Sequence, residues 1–295
     1  MKDGLILIDK EQHLTSQAVV TRVKRLFSLD KAGHTGTLDP MATGVLPILV
    51  GRGVKASEFM LTSEKHYEAE LTLGITTDTE DVWGEVLSRT DVIPTEDEVM
   101  AVLDRFRGEI LQTPPMYSAL KVGGKKLCDL ARSGVVIERE ARPITVYSLT
   151  AKRVDERRYT LDVHCSKGTY IRTLCADIGQ ALGCGGAMSA LRRVEASGYT
   201  IDRTHTLTEI EAMSPAQREE LILPVESVFA SLPTVTLPPF FARLAHSGLE
   251  IYQRKIGTSY PIGTRLRLYD ENGFFAVGEV REYPDGTAIK PIRQF

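Results

Sequence analysis

Cysteine is scarce in this chain and carries no pattern. Cys128, Cys165, Cys175 and Cys184 show no C-x-x-C spacing and no regular framework, which excludes a disulfide scaffold and predicts reduced thiols in a cytoplasmic protein. Long apolar runs are lacking at the N-terminus, where MKDGLILIDK has four consecutive apolar residues. That is too few for a signal peptide or a membrane span, so no membrane partner is expected. No G-x-x-x-x-G-K-[ST], no G-x-G-x-x-G after a strand and no G-x-S-x-G occurs. Their absence removes P-loop nucleotide hydrolysis, dinucleotide-dependent redox chemistry and the hydrolase elbow. His34, His66 and His164 have no partners at metal-ligand spacing, so no metal is expected. Internal repeats and low-complexity tracts are missing too.

What remains is an ordinary globular composition, 42% hydrophobic and 25% charged over 295 residues. That length suits one large domain or two smaller ones with ample core. The net charge of −3 does not announce a nucleic-acid binder. The average hides segregation: residues 64–98 carry eleven acids against Lys65 and Arg89, while 119–147 carry six bases against Asp129, Glu138 and Glu140. Such zones either bind a polyanion on one face or are simply solvated surface. Charge alone leaves both open.

Periodicity places the elements. GLILIDK (4–10) reads as a buried strand, and Thr15 or Ser16 caps a helix through Val19, Val20, Val23, Leu26 and Phe27. HYEAELTLG (66–74) alternates Tyr67, Ala69, Leu71 and Leu73 on one strand face, and RYTLDVHCS (158–166) alternates likewise. Residues 95–107 are expected to be helical behind Thr95, 112–127 loop-like, and 168–183 a helix closed by Gly183. Three prolines in 231–239 mark a boundary, after which RLRLYDENGFFAVGEV signals a hairpin in a small β-rich tail.

One stretch stands apart. GHTGTLDPMATG (33–44) holds three glycines, three threonines and a single acid, Asp39. Pro40 keeps Asp39 extended or in a turn, and the glycines permit positive φ or close approach of another molecule. Alone, Asp39 suits an ordinary turn, Tyr67 a packing position on a strand, and Arg172 a surface site near a helix start. Brought together they would do more. An arginine holds a carboxylate ionised and oriented, an aromatic ring offers a platform for an extruded base, and a basic loop grips phosphates.

These residues resemble a known family. GHTGTLDPMATGVLP is similar to the signature of the TruB-type pseudouridine synthases, and further motifs follow in the family's order over about 200 residues. They are DKEQHLTS (9–16), KHYEAELTLGITTDTEDVWG (65–84), QTPPMYSALKVGGKKLCDLARSG (112–134), SKGTYIRTLCADIG (166–179) and LRRVEASG (191–198). Departures are Glu11, His13 and Ala18 in the first motif and Gly53 and Val54 in the segment GRGVK.

The resemblance implies an α+β fold. A pseudouridine synthase catalytic domain (1–230) would have a central mixed, mostly antiparallel sheet flanked by helices, with an RNA-gripping insertion at 112–147. A PUA-like RNA-binding domain would occupy 231–295. The implied reaction is isomerisation of a T-loop uridine of transfer RNA (position 55) without a cofactor, by a monomer that needs no guide RNA. Asp39 would be the catalytic carboxylate, Arg172 its partner, and Tyr67 would stack on the base and take the C5 proton. His34 would touch RNA near the flipped nucleotide, Leu191 would pack close to it, Lys10 would support the site from beneath, and Lys125 and Lys126 would grip RNA. The alternatives are a non-catalytic transfer-RNA-binding or folding protein and a guide-dependent synthase subunit.

Overall fold

The computed structural model describes residues 3–295, the side chains of Lys121 and Lys126 excepted. β1 (Gly4–Lys10) leads into α1 (Ser16–Phe27), whose first turn is capped by the Thr15 hydroxyl accepting from Ala18 N at 3.0 Å. Val19, Val20, Val23 and Phe27 of α1 are buried at helical spacing, so the amphipathic stripe is what docks it. β2 (Ala32–His34), β3 (Thr43–Val50), the one-turn α2 (Ser57–Met60) and β4 (Lys65–Leu73) follow. β4 buries every second residue from Lys65 to Leu73, the alternation that its sequence predicts.

A small hairpin, β5 (Ile75–Thr77) with β6 (Val86–Arg89), precedes α3 (Glu96–Leu103). α3 carries the capping box from Thr95 and Glu98, but ends sooner than the expected 107. The chain tightens into a 3₁₀ turn at Asp104–Phe106 before β7 (Gly108–Gln112). The stretch expected to be loop-like contains β8 (Lys121–Val122), β9 (Lys125–Lys126) and the start of α4 (Leu127–Arg132). Gly123 and Gly124, with φ of 58° and 82°, close the β8–β9 hairpin as two consecutive positive-φ residues. The chain leaves the main sheet after Gln112 and rejoins it at Arg142.

β10 (Arg142–Arg153), β11 (Arg158–Cys165), α5 (Ile171–Ala181), β12 (Gly186–Ala196) and β13 (Tyr199–Thr200) complete the first unit. The main sheet runs β1-β3-β12-β4-β11-β10-β7, with β2 paired to β3 and β13 to β12. β12 pairs antiparallel with β4 and parallel with β3, so the sheet is mixed and mostly antiparallel. Its core includes Ile6, Ile48, Leu71, Leu161 and Leu174 under α1 and α5.

The tail forms a five-stranded sheet from β14 (Thr234–Thr236), β15 (Ile251–Tyr252), β16 (Arg265–Asp270), β17 (Gly273–Tyr283) and β18 (Gly286–Gln294). β16 and β17 pair around Glu271–Asn272, as the sequence signal implied. The tail does not hang free: Val277, Phe274, Ile292 and Phe295 share a core with Leu5, Met60, Tyr199 and Phe229. Among the described residues no helix is long and apolar enough to cross a membrane.

Candidate active site

The order β3-β12-β4 brings the sequence-distant motifs together. The loop carrying Asp39 enters β3, Leu191 and Arg193 lie on β12, and Tyr67 lies on β4 directly opposite Arg193. Directly opposed residues on neighbouring strands share a face. The loop, the two strands and the start of α5 wall a cavity of about 560 Å³, whose lining includes Asp39, Tyr67, Arg172, Leu191 and Arg193.

Asp39 is held by its neighbours. On one side the buried Ser16 hydroxyl, at the start of α1, accepts from Leu38 N at 2.9 Å and donates to Leu38 O at 3.0 Å. On the other, Lys10 Nζ donates to Pro40 O at 3.2 Å and His13 N to Pro40 O at 2.8 Å. Asp39 O closes the turn by accepting from Ala42 N at 3.0 Å. His13 sits at φ 65°, so the departure from the family motif keeps a left-handed turn that an L-residue rarely adopts. The turn after Lys10 is therefore present despite Glu11 and His13.

The loop glycine Gly44 has the positive φ that its sequence suggests, and a close approach as well. Gly44, at φ 104°, lies against β12: a Cβ there would meet Arg193 O at 2.2 Å. It serves close approach of the protein's own strand. Gly33, by contrast, has nothing within 4 Å of such a Cβ.

Arg172 approaches from the first turn of α5. Tyr170 provides no side-chain cap to that helix. Gln112 at the end of β7 fixes its start instead, accepting from Tyr170 N at 2.8 Å and donating to Tyr170 O at 3.1 Å. The Arg172 side chain is 6% exposed, and its Nε lies 3.0 Å from Asp39 Oδ2 while Asp39 remains 42% exposed. Its Nη1 donates to Thr79 O at 3.0 Å and its Nη2 to Tyr117 O at 2.8 Å. Asp81 Oδ2 stands 3.7 Å from Nη1. A buried guanidinium held by two backbone carbonyls turns its Nε to the Asp39 carboxylate, and that carboxylate faces the cavity.

Three buried groups give the site its electrostatics. Burial pushes the Tyr67 hydroxyl above the usual tyrosine range, with the Arg193 guanidinium pulling the other way. Lys10 is brought down to about 8 by burial, with Asp39 opposing and Arg193 adding to the fall. Lys65 is brought down to about 8 by burial and then by Arg193. Arg193 itself is 1% exposed, donating Nε to Val45 O at 2.8 Å and Nη2 to Gly36 O at 3.2 Å. Lys65 and Arg193 thus set buried cations in the cavity wall against the more exposed Asp39 carboxylate.

Of the residues singled out by sequence, Asp39, Tyr67, Arg172 and Leu191 line the cavity. Lys10 lies beneath the loop, fully buried. His34 is half-buried on β2, its Nδ1 accepting from Gly36 N at 3.4 Å, and does not line the cavity. Lys125 is exposed on β9, away from the cavity wall, and the Lys126 side chain lies outside the described residues. From the excursion between β7 and β10, Cys128 and Arg132 of α4 do reach the wall. Sequence reasoning missed Ser16, Lys65, Asp81, Trp83 and Arg193. Arg193 had a signal: strand alternation puts it on the same face as Leu191. Among the described residues no group of three or more His, Cys, Asp or Glu side chains could hold a metal ion.

Comparison with known proteins identifies the family of the chain. Residues 24–171 match the TruB family pseudouridylate synthase (N terminal domain), and residues 172–230 match the tRNA pseudouridylate synthase B C-terminal domain. The tRNA pseudouridine synthase B of Methylobacillus flagellatus is 43% identical over 94% of this chain and 91% of its own length. That of Alkaliphilus oremlandii is 43% identical over 95% and 93%. Among solved structures, a chain in the crystal structure of a Cbf5-Nop10-Gar1 complex superposes with a TM-score of 0.73 at 27% identity, covering 99% of this chain and 85% of the other.

Proposed function

The chain belongs to the TruB family of pseudouridylate synthases, enzymes that isomerise uridine to pseudouridine, and we propose that it acts on the T-loop uridine of transfer RNA with Asp39 as the catalytic carboxylate. The observation that carries the assignment is the asymmetry of the Asp39–Arg172 pair. The cation is buried and clamped by Thr79 O and Tyr117 O, while the anion is 42% exposed to a cavity of about 560 Å³. That volume falls in the range of small-molecule sites and accepts one flipped nucleoside.

The isomerisation asks for little else. The N1–C1′ bond breaks, the uracil turns while bound, and C5 joins C1′, so no atom is gained and no cofactor is required. Asp39 acts at the ribose, by attack on C1′ or removal of the C2′ proton, or at C6 of the base; Arg172 keeps it aimed. Tyr67 stacks on the base and accepts the C5 proton as the phenolate, the form that the neighbouring Arg193 cation favours and burial opposes. Leu191 packs the apolar edge of the base. Lys10 holds the Asp39 turn through Pro40 O, and His34 contacts RNA beyond the cavity.

The insertion at 112–147, with Lys125 and Lys126, grips the RNA backbone, and the domain at 231–295 adds a second RNA contact. A monomer built this way needs no guide. Tritium release from [5-³H]uridine-labelled transfer RNA tests the reading. Wild-type protein should release tritium without added metal, and Asp39→Asn should abolish release while keeping RNA affinity within about tenfold. Turnover by Asp39→Asn would remove the assignment. Release only with a guide RNA would move the chain to the guide-dependent branch, and binding without release would make it a transfer-RNA-binding or folding protein.

A further inference from the structure

The one tryptophan of the chain, Trp83, sits on the wall of the same cavity and is 43% exposed. Large aromatic side chains are normally spent on burial, and an indole left open at the mouth of a site is a surface looking for a partner. Its N–H has no hydrogen-bond partner among the described residues.

The segment that carries it is braced, which separates Trp83 from an ordinary surface turn. Between β5 and β6, Val82 N donates to Met188 O at 3.0 Å and Met188 N to Glu80 O at 3.0 Å, tying the turn to β12. Asp81 Oδ1 accepts from Trp83 N at 3.2 Å and from the Thr79 hydroxyl at 2.7 Å. Its other oxygen is the one that faces Arg172. The carboxylate that stands beside the Asp39–Arg172 pair thus also holds the backbone from which the indole projects. A platform fixed before binding loses little freedom when a base settles on it.

Resting on the reading of the cavity as the uridine site, we infer that Trp83 is a stacking platform for the base next to the flipped uridine. The local charges favour a base over a phosphate. Asp78, Asp81 and Glu85 cluster on this turn, and a phosphate would be repelled there, whereas a stacked base is neutral. Stacking also leaves counterions in place, so its contribution does not depend on salt.

The single tryptophan makes the test direct. Indole emission of Asp39→Asn protein, which binds without turning over, is followed while a T-arm transcript is added, and quenching is expected. Trp83→Ala should raise KM on the order of tenfold with kcat within about twofold and an unchanged salt slope, and Trp83→Phe should restore most of the loss. The Trp83 backbone N–H survives in both variants, so the Asp81 brace is retained. A transcript lacking the base 5′ or 3′ of the target uridine should abolish quenching in one of the two cases, and with it the Trp83→Ala penalty. A fall in kcat at constant KM would make Trp83 a scaffold residue and overturn the inference. So would unquenched emission, or a penalty that both abasic transcripts retain. Absence of tritium release by the wild type would defeat the underlying reading instead, whatever the fluorescence does.

Discussion

Gly44→Ala separates a structural use of the glycine-rich loop from a merely flexible one. At φ 104° an alanine is strained before any contact is counted, at a cost of about 1–3 kcal/mol. Its Cβ would lie 2.2 Å from Arg193 O and 2.7 Å from Arg193 N, where real contacts start at 3.0 Å, so about 0.8 Å must open. β12 cannot retreat freely, because β4 holds its other edge with Tyr67 opposite Arg193. The opening therefore falls on the β3–β12 pairing and lengthens the Arg193 Nε–Val45 O bond beyond hydrogen-bonding range from its 2.8 Å. Losing a buried charged donor's bond adds about 1.5–3 kcal/mol. The expected destabilisation is about 4 kcal/mol, read from urea unfolding followed by circular dichroism.

The same displacement carries Asp39 away from Arg172, and a misplacement near 1 Å costs on the order of 100-fold in rate. Gly33→Ala, in the same motif, meets nothing within 4 Å. It should leave stability within about 1 kcal/mol, on the favourable side if anything. Equal damage from both variants, or full stability and turnover in Gly44→Ala, would refute the close-approach argument.

Arg172→Lys keeps the charge but cannot reach Asp39, Thr79 O and Tyr117 O together. Turnover should fall on the order of 100-fold and stability by about 2 kcal/mol, and parity with wild type in tritium release would show that the clamp is idle. Lys125→Gln should reduce the slope of log K against log salt by about 1; an unchanged slope in filter binding would take that hairpin off the RNA. Lys65, 9% exposed and at about 8 when folded, binds fewer protons there than in the unfolded chain, where lysine titrates near about 10.4. Stability should therefore rise between pH 7 and 9, by on the order of 1 kcal/mol from this residue. Buried Cys165, raised to about 11, opposes that trend at higher pH. The slope is therefore taken as the difference between wild type and Lys65→Met, and equal slopes would refute the buried-cation assignment.

The elements with a strong period were legible. α1, β4, β11 and α5 could be read because their buried residues recur at intervals set by the helix or the strand itself. The hairpins were legible to the extent that their turns advertised themselves. Asn272-Gly273 was read as one, whereas Gly123-Gly124 was passed over amid flanking prolines and lysines. Least legible was the insertion of β12 between β3 and β4, since parallel pairing of Arg193 with Gly44 leaves no local mark in either segment. Strand alternation puts Arg193 on the face of Leu191, but only that pairing brings it beside the Asp39 loop.

The same topology explains why one carboxylate needs so much unusual backbone. Asp39 is not aimed by its own loop alone but by four distant supports: Ser16 on Leu38, Lys10 and His13 on Pro40, and Arg193 on Gly36 and Val45. Each acts on the main chain, so the loop must be thin enough for donors to reach its carbonyls, and Gly36 and Gly44 make it so. This also accounts for the tolerance of the first motif to change. Glu11 and His13 replace the family's residues, yet the contacts that matter there are made by the Nζ of Lys10, which is not among the departures, and by the backbone N–H of His13, which only a change to proline at that position removes. A loop held through its backbone can keep its geometry while its sequence drifts, and the one side chain left free to be specified is the acid.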